Sequence, residues 1–119
     1  MKLERIQQSI DKWERFKKAI AGKQEGVHEY DYGYYQHMFW NSCPYCSECG
    51  NDCDFCILHR KISSEHMPFC DNQPRNGSIA AIAIRLADKA QYKEAEKYAN
   101  LLIAEMQRHL EEVKENEKP

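Results

Sequence analysis

Residues 78–113 read SIAAIAIRLADKAQYKEAEKYANLLIAEMQRHLEEV, and this stretch decides the fold class. Its first part, 79–87, is apolar almost all round, which is typical of a buried helix. Its second part keeps one apolar stripe at helical spacing, with charges opposite, formed by Tyr92, Ala95, Tyr98, Ala99, Leu102, Met106, Leu110 and Val113. The change of character at 88–91 predicts a helical hairpin, with one long bent helix as the alternative.

A further helix is predicted at the N-terminus, over residues 1–22. Its apolar residues follow helical steps of three and four, and they are Leu3, Ile6, Ile10, Trp13, Phe16 and Ile20. Gly22 is suited to end this helix, because glycine tolerates the left-handed conformation of a helix C-terminus. We expect this apolar face to pack on the first part of the hairpin, Ile6, Ile10 and Trp13 meeting Ala81, Ile82, Ile84 and Leu86.

Between the predicted helices lies a cysteine-rich segment, 41–77, that is interrupted by residues typical of turns. It contains two CxxC pairs, Cys43 with Cys46 and Cys53 with Cys56, together with Cys49 and Cys70. A CxxC turn directs two thiolates at one ion, and two such turns supply a complete tetrahedral set of sulfur ligands. The segment therefore predicts an irregular metal-binding knot inserted into a mainly α-helical domain.

Three interpretations of the cysteines remain open. In the first, which we favour, zinc is bound by the two pairs or with Cys70 in exchange, and His66 or His59 is an auxiliary ligand. In the second, the C-x2-C-x2-C-x3-C spacing from Cys43 to Cys53 resembles that of bacterial ferredoxins and holds a [4Fe-4S] cluster. In the third, the six cysteines form three disulfides, which requires an oxidising compartment.

The order CPxC, CxxC and a lone cysteine, preceded by an amphipathic helix with tryptophan, resembles a group of small cysteine-rich proteins of prokaryotes and their phages. The resemblance covers residues 10–75 and extends to Cys43, Cys46, Cys53, Cys56 and Cys70, whereas Cys49 departs from the pattern. The resemblance implies metal binding but does not imply any particular activity.

Aromatic residues crowd just before the first cysteine, at Tyr30, Tyr32, Tyr34, Tyr35, Phe39 and Trp40. The alternation of the first three predicts a short strand or an extended segment, although Gly33 weakens it. We expect most of these rings to cover the knot and join it to the helices, with one or two tyrosines exposed. Tyr32, Tyr34 and Trp40 are the candidates for contact with a partner.

The charge distribution argues against nucleic acid and membranes as main partners. The net charge is −2, but residues 1–24 carry seven basic and three acidic side chains. We expect this stretch to be a solvated helix face on which Lys12, Arg15 and Lys18 support at most weak nucleic-acid binding. The N-terminus has no apolar signal core and no apolar run is long enough to cross a bilayer, so we expect a cytoplasmic protein.

Nothing in the sequence points to catalysis. No nucleophile elbow, phosphate loop, dinucleotide fingerprint or HExxH motif is present, and a four-thiolate zinc site leaves no open position for a substrate. His28, His37 and His109 are expected to be ordinary surface or half-buried residues. The sequence thus predicts a single domain, 1–119, with a helix at 1–22, the cysteine-rich insertion at 41–77 and a helical hairpin at 78–115. Its expected function is a metal-stabilised binding or regulatory module whose partner is another protein or a second copy of the chain.

Overall fold

The first helix, α1, spans Leu3–Ile20 in the computed structural model, which describes residues 3–39 and 79–117. Its predicted apolar stripe is confirmed, because the residues from Ile6 to Ile20 that follow helical spacing are buried. The helix ends as predicted: Gly22 adopts a positive φ of 74° just beyond Ile20.

The predicted strand or extended segment at Tyr30–Tyr34 is wrong, because Tyr34 begins a short helix, α2, over Tyr34–Phe39. Gly33 precedes it with a φ of 92°, a conformation that a strand residue does not adopt. The amide of His37 donates to the carbonyl of Gly33 at 2.9 Å, which closes the first turn of the helix. Within residues 3–39 and 79–117 there is no β-strand.

The predicted hairpin is present, formed by α3 at Ile79–Asp88 and α4 at Tyr92–Glu117, so the alternative of one long bent helix is wrong. Ala90 ends α3 in the left-handed conformation, with a φ of 60°. The amide of Ala90 donates to Ala87 O at 3.0 Å and that of Gln91 to Leu86 O at 2.8 Å, the pattern of a Schellman motif. α4 continues to Glu117, two residues beyond the predicted limit of 115.

The core lies around α4, which packs against both α1 and α3, while α2 packs against α3. The predicted stripe of α4 is confirmed, since its residues are buried or lie partly buried against the core. None of the described helices is both long and apolar enough to cross a lipid bilayer.

The prediction that α3 packs mainly on α1 is wrong. The extensive contacts of α1 within the described residues are with α4, so α3 faces α4 and α2 instead. Ala81 and Ile84 are buried as expected, but Ile82 and Leu86 are only partly buried. Helix α3 is buried over most of its surface, and its partly buried residues are Ile82, Arg85 and Leu86.

Ile82 and Ile84 allow a matched test of this burial pattern, because both lie on α3 and differ in exposure. Ile84 is 2% exposed, and its replacement by alanine is expected to lower the free energy of unfolding by about 2–4 kcal/mol, because the cavity is fully enclosed. Ile82→Ala, at a partly exposed position, is expected to cost less than about 1.5 kcal/mol. Urea unfolding of both variants measures the difference, and equal costs would contradict this burial pattern.

Candidate functional site

The predicted metal ligands lie outside the described residues. This applies to all six cysteines, to the auxiliary candidates His59 and His66, and to Trp40, because they fall within 40–78. Among the residues that the structure describes, no three histidine, cysteine, aspartate or glutamate side chains form a group that could hold a metal ion. The described residues therefore show the helices that flank the cysteine-rich segment, and the metal site stays a prediction.

Both elements that flank this segment are packed into the helical core. The chain enters it after Phe39 of α2, whose ring meets the ring of Phe16 edge-on at 5.2 Å. It returns at Ile79, the first residue of α3, which is buried. Since α2 packs against α3, the cysteine-rich segment is attached at both ends to one packed unit.

A buried carboxylate fixes α2 in place. Asp88, the last residue of α3, is 5% exposed, and its two oxygens accept hydrogen bonds from the amides of Tyr35 at 2.8 Å and Gln36 at 3.2 Å. These amides belong to the first turn of α2, where no carbonyl within the helix is available to accept their hydrogen bonds. Asp88 therefore acts as a helix cap supplied from another helix.

Burial raises the pKa of Asp88 above its usual range, and hydrogen bonds from the backbone of Tyr35, Gln36 and Gly33 lower that pKa in part. Desolvation disfavours the charged carboxylate, while donors pointing at it favour the charge. The net upward direction means that folding favours the protonated form of this side chain.

The loop between α1 and α2 caps the hairpin in return. The carboxylate of Glu25 accepts a hydrogen bond at 2.6 Å from the amide of Lys93, in the first turn of α4. The amide of Gly26 donates to the carbonyl of Ala90 at 2.9 Å, and the hydroxyl of Tyr92 donates to the carbonyl of Val27 at 2.7 Å. Asp88 of the hairpin thus caps α2, and Glu25 of the loop caps α4. Together these contacts hold the loop against the hairpin turn.

Tyr35 is the centre of an aromatic cluster that joins α1, α2 and α4. Its ring makes edge contacts with Tyr34 at 5.2 Å, Phe16 at 6.3 Å and Tyr92 at 6.4 Å. Its hydroxyl is buried and has no hydrogen-bond partner among the described residues. Burial raises the pKa of this hydroxyl, so it stays neutral across the physiological range.

The expectation that one or two tyrosines stay exposed is confirmed for residues 30–39, whereas the expected cover of the cysteine knot involves residues outside the described part of the chain. Tyr35 is buried, and Tyr34 and Phe39 lie partly buried against the core. Tyr32 and Tyr30 are 72% and 46% exposed. Of the two predicted partner-contact residues that the structure describes, Tyr32 is therefore the exposed one. Tyr34 supports the loop by stacking on Tyr30 at a centroid distance of 4.0 Å.

The predicted basic face of α1 is only partly present. Arg15 and Lys18 are exposed, but Lys12 is buried, with its ammonium 5.6 Å from the ring of Trp13. The expectation that Lys12 lies on the solvent side is wrong, because Lys12 is only 9% exposed. A lysine can be buried in this way because most of its side chain is aliphatic. Lys17 pairs with Glu14 at 3.9 Å, which further dilutes the positive surface.

Among the histidines, His28 and His37 are exposed as expected, whereas His109 on α4 is buried. Sequence inspection also missed the capping roles of Asp88 and Glu25. Each acts on a helix far away in the sequence, so local pattern carries no signal for either.

Comparison with protein-family models, with curated proteins and with solved structures finds no match to this chain.

Replacing Asp88 with alanine is expected to lower the free energy of unfolding by about 1–2 kcal/mol, the usual cost of losing a helix cap. Amide exchange at Tyr35 and Gln36 should accelerate, because their acceptor is removed. Asp11→Ala is the matched control, since Asp11 is exposed and its side chain accepts a hydrogen bond from the side chain of Gln7 at 3.0 Å rather than from a helix amide. An Asp88 variant with unchanged stability and exchange would show that the cap does not hold α2.

The raised pKa of Asp88 predicts a pH dependence with a definite sign. Its stabilising contribution is fully present below the unfolded pKa, about 3.9, and is lost as pH rises through the raised folded pKa. The unfolding free energy of the wild type minus that of Asp88→Asn should therefore fall as pH increases from about 4. Urea unfolding of both proteins across this range measures it, and a difference that rises with pH would contradict the assignment.

Proposed function

We propose that this chain is a small metal-binding module in which cysteine thiolates of the 40–78 segment hold zinc and the helical core presents the segment to a protein partner. The observation that carries the proposal is the pair of CxxC motifs, Cys43 with Cys46 and Cys53 with Cys56. Two such motifs at short separation are the usual source of a structural zinc site. The cysteine-rich proteins of prokaryotes and phages that the segment resembles have the same order of motifs.

The helical core supports the proposal through the way it holds the ends of the segment. Closing a long loop costs conformational entropy, and here the packing of α2 against α3 already joins its two ends. Metal coordination then has to order only the interior of the segment, and its binding energy acts as folding energy.

In this proposal zinc has no catalytic role. Four thiolates complete the coordination of the ion and leave no position for water or substrate. The module therefore acts by binding, in a cytoplasm that keeps thiols reduced, and its partner is another protein or a second copy.

An iron–sulfur redox or sensor protein is the second candidate, favoured by the spacing of Cys43, Cys46, Cys49 and Cys53. The candidates differ in colour and in metal content. Protein purified without oxygen should be colourless and contain zinc if the first is right, and brown with stoichiometric iron and sulfide if the second is right.

Nucleic-acid binding is, in this proposal, weak at most. Among the basic residues of this stretch that the structure describes, Arg5, Arg15 and Lys18 are exposed. Lys12 is buried, and Lys17 and Lys23 pair with glutamates. Such a sparse surface would release few counterions, and its affinity should be correspondingly low.

Cysteine variants test the ligand set directly. Cys43→Ser and Cys56→Ser should each lose the bound metal and much of the metal-dependent stability, because a CxxC turn acts as a unit. Cys49→Ser should retain zinc if the paired-CxxC set is right, and should be as damaging as the others if a cluster uses it. Elemental analysis of the three proteins decides between the sets, and an unaltered metal content in Cys43→Ser would refute the paired-CxxC site.

A further inference from the structure

The loop before α2 contains two acid–tyrosine pairs in succession, Glu29 with Tyr30 and Asp31 with Tyr32. Residues 24–33, which contain both pairs, carry three carboxylates and neither lysine nor arginine. Such a surface attracts cations by charge and by the negative faces of its aromatic rings.

The first pair is already occupied by a cation from the same chain. The ammonium of Lys23 forms an ion pair with Glu29 and lies 5.2 Å from the centroid of the Tyr30 ring. The hydrogen bond that the Lys23 ammonium donates to the carboxylate of Glu29 raises the pKa of Lys23, so the lysine stays charged. The loop thus shows, within itself, how a carboxylate and a neighbouring tyrosine ring hold one basic side chain.

The second pair has the same chemistry but lacks such an occupant among the described residues. Asp31 and Tyr32 are both exposed, and neither side chain makes a hydrogen bond, ion pair or ring contact with another described residue. Tyr32 also borders a surface depression that it forms with Gly33, Gln36 and His37.

The backbone that carries the second pair is held on both sides. Tyr30, just before it, stacks on Tyr34 with an angle of 14° between the rings. Just after it, Tyr34 and Tyr35 begin α2, where Asp88 accepts the amide hydrogen of Tyr35. A side chain that docks on Asp31 and Tyr32 therefore meets a loop that is already ordered, and less conformational entropy is lost on binding.

We propose that Asp31 and Tyr32 bind an arginine or lysine side chain of a partner protein, as Glu29 and Tyr30 bind Lys23. Arginine suits the pair best, because its planar guanidinium can stack on the ring and also pair with the carboxylate. Val27, which is exposed in the same loop, offers an apolar contact to residues beside the arginine. The proposal rests on the binding-module function and names the chemistry of its partner.

The test uses two short synthetic peptides that differ only in having arginine or glutamine at the same positions. Titrated into the metal-replete full chain at low salt and followed by amide chemical shifts, the arginine peptide should perturb Asp31 and Tyr32 and the glutamine peptide should not. Tyr32→Leu removes the ring face and Asp31→Asn removes the charge. Each should weaken arginine-peptide binding by about two- to fivefold and the double variant by about three- to twentyfold.

The matched control is Glu111→Gln, which removes an exposed carboxylate from α4, where Glu111 pairs with Lys114. It should leave peptide binding unchanged, and all variants should unfold at the wild-type urea concentration, because the replaced side chains are exposed. Equal binding of the two peptides, or equal weakening by Glu111→Gln, would overturn the proposal. A concentration-dependent dimer that Asp31→Asn dissociates would also overturn it, because the occupant would then be a second copy.

Metal content of the same preparations separates this inference from the proposed function. A wild-type protein that contains metal but binds both peptides equally refutes the inference alone. A protein that contains no metal but still discriminates the peptides through Asp31 and Tyr32 refutes the metal-binding module and supports the cation-binding surface.

Discussion

The carboxylate of Asp88 determines where α2 lies, and α2 determines where the chain enters the cysteine-rich segment. A helix of six residues is far too short to be stable by itself, since the cost of nucleating it is spread over too few hydrogen bonds. The two hydrogen bonds from Tyr35 and Gln36 to Asp88 satisfy its first turn. The aromatic contacts of Tyr35 and Phe39 then cover its inner side.

Apolar and polar contacts have different roles in this molecule. Burial of side chains along α4, such as Leu102 and Met106, removes apolar surface from water and supplies the main driving force. The polar contacts add less free energy, but they are directional. The hydrogen bonds that Glu25 accepts from α4 and Asp88 accepts from α2 set the position of the loop against the hairpin turn, which burial alone would leave loosely specified.

Sequence periodicity predicted the long elements of the fold and failed where distant residues decide the structure. The stripes of α1 and α4 repeat over several turns, and the change of character at 88–91 marked the hairpin turn correctly. The tyrosine alternation before α2 was misleading, because the conformation there depends on Gly33 and on Asp88, 53 residues away from Tyr35. Lys12 was misplaced because its chain is both apolar and charged.

For the candidate site, too, local sequence patterns were informative and contacts between distant residues were not foreseen. The exposure of Tyr32 followed from the expectation that a crowded aromatic segment leaves one or two rings uncovered. The metal ligands were inferred from cysteine spacing, which is a local signal, and they lie outside the residues that the structure describes. The roles of Glu25 and Asp88 could not be inferred, because a single acidic residue at a helix end or in a loop looks like any solvated one.

The reciprocal caps also imply an order of events during folding. The Schellman turn at Ala90 involves residues close together in the chain, so α3 and α4 can form their hairpin early. The contacts of Asp88 with Tyr35 and of Glu25 with Lys93 span 53 and 68 residues, and they must wait until a long loop has closed. Helix α2 is therefore a late-forming element. During synthesis, every cysteine is added to the chain before Asp88, the residue that caps α2.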